Sequence, residues 1–177
     1  MVVACALGQR NVAAAQDVGG DSTGYDVEEK LAELGIELGE VTPPTANYVR
    51  AVRTGNLVFL AGHGPNLPGA EPIAGKMGSD LTLEEGQEAA RLTGISLLTS
   101  LKEEIGDLNN VKRIVKATGM VNAEPDFTEH SQVINGFSDL MVEVFGEKGK
   151  HARAAVGMSS LPGNIPVEIE MIVEVED

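Results

Sequence analysis

Apolar residues return at helical spacing along two long stretches of the chain. From Thr82 to about Ile105, the positions Ala90, Ile95, Leu97, Leu98, Leu101 and Ile105 keep a mostly three-to-four-residue rhythm. Thr82-x-x-Glu85 ahead of them has the capping-box form that opens a helix. From Asp126 to about Phe145, the residues Val133, Ile134, Phe137, Leu140, Met141 and Val144 line one face behind Asp126-x-x-Glu129. A shorter helix is predicted after Asp26, with Glu29 three positions on, then Val27, Leu31 and Leu34 on one side and Gly35 able to end it.

The remaining apolar runs have the two-residue period of strands. Tyr48–Arg53 and Leu57–Ala61 flank the turn residues Thr54-Gly55-Asn56, which predicts a hairpin. Gly62-His63-Gly64-Pro65 should stop it, and the polar stretch to Ser79 reads as loop with a short strand near Ile73. Val111–Val121, Ala152–Ser160 and Pro166–Val175 are further strands, the last two joined by the turn Leu161-Pro162-Gly163-Asn164. The order ββαβαββ predicts an α+β fold, a mixed sheet with two long helices on one face. The uncovered face would be apolar, and packing it against further copies in a homo-oligomer is the natural solution.

Composition sets the boundaries of this domain. Residues 1–24 are small and end in Gly19-Gly20-Asp21-Ser22-Thr23-Gly24, while Pro43-Pro44 interrupts regular structure. Residues 1–25 therefore read as a flexible extension and 26–177 as a single domain. Met1–Ala15 is mildly apolar, but Arg10 interrupts it and no basic segment precedes it, unlike a secretion signal. No apolar run reaches the roughly 18 residues of a membrane span, so a cytoplasmic protein without a membrane partner is expected.

Charge and chemistry narrow the partners. Thirteen Lys and Arg stand against 27 Asp and Glu, a formal net charge of −14. Such a chain repels polyphosphate, and with no Trp, two Tyr and four Phe it lacks stacking platforms, so nucleic acid is not an expected partner. One cysteine, Cys5, and three scattered histidines, His63, His130 and His151, do not make a cysteine-rich metal site. Gly62-His63-Gly64 lacks the third glycine and the following helix of a dinucleotide fingerprint. No cofactor and no metal are expected.

Against that acidic background, Arg153 stands at the head of the apolar run Ala152–Met158. A guanidinium there can hold a carboxylate by two parallel hydrogen bonds. Glu168, in Val167-Glu168-Ile169-Glu170, could act as acid or base or orient a water. The plainer alternative is a structural Arg–Glu ion pair at a sheet edge.

The motifs Ala152-Arg153-Ala154-Ala155-Val156, Leu161-Pro162-Gly163 and Val167-Glu168-Ile169-Glu170, with Tyr48-Val49 and Gly55–Gly62 before them, resemble the Rid family. These are YjgF-like reactive-intermediate deaminases, also labelled L-PSP endoribonucleases and translation-initiation inhibitors. The similarity runs from about Glu28 to the C-terminus. Within the family the chain is similar to a longer subgroup with an extra N-terminal helix and an Ala-Gly-His-Gly-Pro segment.

The resemblance implies a chorismate-mutase-like fold and a homotrimer with a barrel-like core and sites between subunits. It implies hydrolytic deamination of 2-aminoacrylate-type enamines and imines to a 2-keto acid and ammonia. In that reading Arg153 clamps the carboxylate of a small metabolite and Glu168 positions the attacking water. Tyr48, Gly62 and Asn135 match site residues, the backbone N–H of Ala155 could donate to the ligand, and His63 joins them between its two glycines. Plainer roles stand beside these: Tyr48 packing at a strand start, Asn135 on a helix surface, His63 in a loop.

The chain departs from the family at several positions. Ala155 replaces a common cysteine, which excludes thiol chemistry there. Ala61 and His63 replace a common serine and glutamine, and His151 stands where proline is frequent. The carboxylate clamp is intact, but the pocket walls differ. Two other functions remain in view, a non-catalytic protein that binds a small carboxylate and an endoribonuclease or translation inhibitor, the latter opposed by the net charge.

Overall fold

A computed structural model describes residues 25–41, 44 and 46–177. The predicted extension, up to Gly24, lies outside the described residues, as does Pro43 of the Pro43-Pro44 break. The elements are α1 (Val27–Glu33), β1 (Ala51–Thr54), β2 (Leu57–His63), α2 (Leu83–Ile105), β3 (Val111–Asn122), α3 (His130–Phe145), β4 (Ala152–Met158) and β5 (Val167–Val175). They form the mixed α+β layer that the hydrophobic pattern predicts.

Local signals account for the helix starts. Asp26 accepts from the backbone N–H groups of Glu28 and Glu29, at 2.8 and 3.1 Å, which caps α1. At α2 the capping box closes in both directions: Glu85 N–H donates to Thr82 Oγ1 at 3.2 Å and Thr82 N–H to Glu85 Oε2 at 2.8 Å. The third start differs from expectation. α3 begins at His130 rather than Asp126, because residues 125–126 make a turn in which Phe127 N–H donates to Glu124 O at 3.1 Å. The predicted strand near Ile73 is absent; Ile73 N–H is taken by the Asn66 side chain, and an isolated bridge forms at Met77 instead.

The five strands lie in the order β1-β2-β5-β3-β4. β4 and β5 follow one another in sequence but do not pair. β3 lies between them, parallel to β4 and antiparallel to β5. β5 is thus central, and every second residue of it, Val167, Ile169, Met171, Val173 and Val175, is buried. Each contributes about 2 kcal/mol by leaving water. α2 and α3 cover that face with Leu97, Leu98 and Leu101 from one helix and Ile134, Phe137, Leu140 and Met141 from the other. The opposite face is bare. Val52, Phe59 and Val156 are exposed on it, as expected for a sheet covered on one side.

The two helices cross closely at one point. A methyl group on Gly136 of α3 would collide with the backbone oxygen of Gln87 in α2. Gly136→Ala must push the helices apart, and we expect a loss of about 3 kcal/mol in urea unfolding, the upper end for overpacking. Gly39→Ala, where a methyl meets open space, should change stability by less than about 0.5 kcal/mol. Equal small effects would refute the close-crossing account.

Candidate functional site

Arg153 is the third partner in a row of paired residues. It pairs with Ala117 of β3, which pairs in turn with Met171 of β5. Ala117 and Met171 are buried against the helices, so Arg153 points to the helix side of the sheet. There its guanidinium meets α3. Nη1 donates to Asn135 Oδ1 at 2.9 Å and Ser138 Oγ at 3.0 Å, and Nη2 donates to Ser131 O at 3.3 Å. An arginine has five N–H donors. Two remain for a ligand among the described contacts.

A short relay stands behind the guanidinium. Ser138 Oγ already accepts from Arg153, so its hydroxyl donates to His151 Nε2 at 3.1 Å, and His151 Nδ1–H donates to Gly149 O at 2.7 Å. Burial holds the His151 pKa below the ordinary imidazole range. The bond to Gly149 opposes this and the Arg153 charge adds to it. The ring packs edge-on against Phe137 at 5.4 Å. Ser131, Asn135 and Ser138 form a polar stripe at helical spacing on α3, a signal that would have located the two serines beside Asn135 in the sequence.

Glu168 belongs to the other face. It pairs with Met120, three residues beyond Ala117 on β3 and therefore on the opposite side of the sheet. Within one chain Arg153 and Glu168 face away from each other, so the intrachain ion pair considered above does not form. Glu168 is half-buried, and desolvation, helped by the neighbouring Glu170 charge, raises its pKa above the ordinary carboxylate value.

A bulge brings Gly62 to Glu168. Leu60 pairs with Met171 and His63 with Ile169, so Ala61 and Gly62 stand opposite Glu170 alone. A methyl on Gly62 would collide with Glu168 Oε1, so a larger residue there would displace the carboxylate. The strand was expected to stop at Gly62; instead β2 continues through His63.

His63 consequently turns inward. It is 3% exposed, its Nδ1–H donates to Ala61 O at 2.7 Å, and Nε2 accepts from the hydroxyl of Ser100 on α2 at 2.7 Å. Burial lowers its pKa, against the raising effect of the Ala61 bond and with a further lowering by Arg50. Tyr48 is exposed just before β1. Tyr48, Gly62 and His63 share the wall of a cavity of about 380 Å³ with Ser96, Thr99 and Ser100 of α2. Ala155 lies beside Arg153 on β4 and packs against the core. The predicted residues thus fall into two groups: Arg153, Asn135 and Ala155 with α3, and Tyr48, Gly62, His63 and Glu168 around the bulge.

Four likenesses bear on this arrangement. A family model described as YjgF/chorismate mutase-like, with endoribonuclease as its provisional label, matches residues 28–175. Protein TCP17 of Trypanosoma cruzi is 41% identical over 152 residues, 85% of this chain and 95% of the relative. A protein of Dermatophagoides farinae named 2-iminobutanoate/2-iminopropanoate deaminase is 29% identical over 139 residues, 75% of this chain and 89% of the relative. The crystal structure of Atu1372 from Agrobacterium tumefaciens, a protein of unknown function, superposes with a TM-score of 0.78 at 42% identity, covering 85% of this chain and 94% of that one.

The two inward histidines make stability depend on pH. Each has a folded pKa below the ordinary value of about 6.5, so the unfolded chain binds protons that the folded chain refuses. Their contribution is present above that value and lost on acidification. The raised pKa of Glu168 acts in the reverse sense. Differential scanning calorimetry from about pH 7.5 to about pH 5.5 should show a falling Tm, with a shallower slope in the double variant His63→Gln, His151→Gln. An unchanged slope in that variant would count against the account.

Proposed function

Because the chain belongs to the YjgF/chorismate mutase-like family, we propose that it hydrolyses 2-imino acids to 2-keto acids and ammonia at a site completed between copies of itself. One observation carries the reading: Arg153, with two unused donors, and Glu168, with a raised pKa, lie on opposite faces of one sheet. A second copy that brings its Arg153 to the bulge of the first would supply both groups to one ligand. The bare apolar face with Val52, Phe59 and Val156 favours such packing. A homotrimer with inward-facing sheets is the assembly we propose.

The chemistry asks little of the protein beyond positioning and one base. The two unused donors of Arg153 take the substrate carboxylate as a bidentate pair. Asn135 and Ser138 hold the guanidinium plane, and the Ala155 N–H adds a donor beside it. Glu168 takes a proton from a water as the water oxygen bonds to the imine carbon, giving a carbinolamine. Glu168 returns that proton to the nitrogen, the proton of the carbinolamine hydroxyl passes to the same nitrogen as the C–N bond breaks, and ammonia and the keto acid leave. The raised pKa makes Glu168 a stronger base than an ordinary carboxylate. Gly62 lets the substrate approach that carboxylate, and Tyr48 closes the rim. The relative named as an imine deaminase supports this reaction class.

The test couples amino-acid oxidation, which generates the imine, to detection of keto acid. Arg153→Ala and Glu168→Gln should each lower kcat/KM at least about a hundredfold, equivalent to about 2.7 kcal/mol of transition-state binding. Light scattering should find the same trimer in both. The wild-type rate should fall as pH drops through the raised Glu168 pKa, because the base must be ionised. Full turnover in Arg153→Ala would overturn the proposal. Ligand binding without turnover in the wild type would make the protein a carboxylate sensor instead.

A further inference from the structure

The cavity beside Gly62 is larger than a small imino acid needs. At about 380 Å³ it holds the volume of about a dozen waters and falls within the range of small-molecule sites. Gly62 belongs to its wall and also abuts Glu168, so the cavity on the α2 side of the sheet and the carboxylate on the open face meet at this one glycine. A methyl or ethyl group would leave most of it filled with water.

The lining has a polarity of its own. Ser100 spends its proton on His63 Nε2, so its oxygen offers only lone pairs to the cavity. Thr99 likewise donates to Ile95 O at 2.9 Å and keeps its acceptor capacity. Glu37 and Glu40 lie in the wall from the segment ahead of β1. Tyr48 and Arg50 on the β1 side, Asn66 and Ser96 add side chains that can donate. Ser100, Thr99 and the carboxylates of Glu37 and Glu40 therefore present acceptors to the cavity. What complements them is a group rich in N–H donors.

We propose that this cavity receives the substrate's side chain and selects imino acids whose side chain ends in a nitrogen donor, amide or ammonium, over alkyl side chains of similar length. The selection rests on the deaminase reading above. Ser100 and Thr99 determine the specificity. The lowered His63 pKa keeps the ring neutral and accepting, which holds the Ser100 hydroxyl in the orientation this selection needs.

The experiment compares imines generated from glutamine, lysine, methionine and norleucine in wild type, Ser100→Ala and Thr99→Val. The wild type should favour the glutamine or the lysine imine over its apolar counterpart by about tenfold in kcat/KM, the worth of one or two hydrogen bonds to a buried acceptor. Both variants should bring that ratio toward one. Preference for glutamine alone would identify an amide, for lysine alone an ammonium. Equal or greater rates with the alkyl imines in the wild type, or an unchanged ratio in both variants, would overturn the proposal. If no imine is turned over, the deaminase reading fails by itself, and calorimetric titration with glutamine and methionine then reads the cavity directly. Tighter glutamine binding that the variants abolish would sustain the selection, and equal binding or none would end it.

Discussion

Side chains alternate across β5 with a period of two, and most of the molecule hangs on that alternation. Val167, Ile169, Met171, Val173 and Val175 enter the core, while Glu168, Glu170, Ile172 and Glu174 face the bare side. β5 is paired on both edges, by β2 and by β3, so it cannot slide without breaking two ladders. A slip of one residue would bury three carboxylates under α2 and α3, each costing several kcal/mol. The position of Glu168 on the open face is therefore as firmly fixed as the core itself, and its half-burial, which raises its pKa, follows from its place in the central strand.

The bulge in β2 interrupts the ladder beside Glu168 and decides which residue meets that carboxylate. In an unbroken ladder Gly62 would pair with Ile169 and His63 with Glu168. His63 would then stand on the open face beside the carboxylate. The extra residue shifts His63 to Ile169, into the helix layer, and leaves Gly62 against Glu168. Glycine leaves the carboxylate in place, and a buried histidine at the neighbouring position needs the acceptor and donor it finds in Ala61 and Ser100.

Periodicity made the fold legible in the sequence. The apolar stripes of α2 and α3, the Thr82–Glu85 box and the five strand runs follow from side-chain spacing alone, and the resemblance led to Arg153, Asn135, Gly62 and Glu168 as candidates. The missed features have other causes. Pairing β4 with β3 is a long-range choice that no local turn signal carries; Leu161–Asn164 reads equally well as a hairpin. The start of α3 shifted because Pro125 and Asp126 close a turn that competes with the cap. The inward rotation of His63 depends on a single inserted residue, invisible to a pattern of period two. Ser100, Ser131 and Ser138 carry no signature of their own. They acquire meaning only through the partner each one meets.

Arg153 and Glu168 stand on β4 and β5, with β3 between them, and their separation has an electrostatic consequence. Arg153 is held by an amide oxygen, a hydroxyl and a backbone carbonyl, all neutral, and no described carboxylate pairs with it. Dipoles fix the guanidinium plane without cancelling its charge. Had Glu168 been its partner, a ligand carboxylate would have had to displace an internal one, with little net gain. In a chain with a formal charge of −14, a cation kept free of carboxylates needs such shielding by geometry. The sheet supplies it: Arg153 lies on one face and the Glu168 carboxylate on the other.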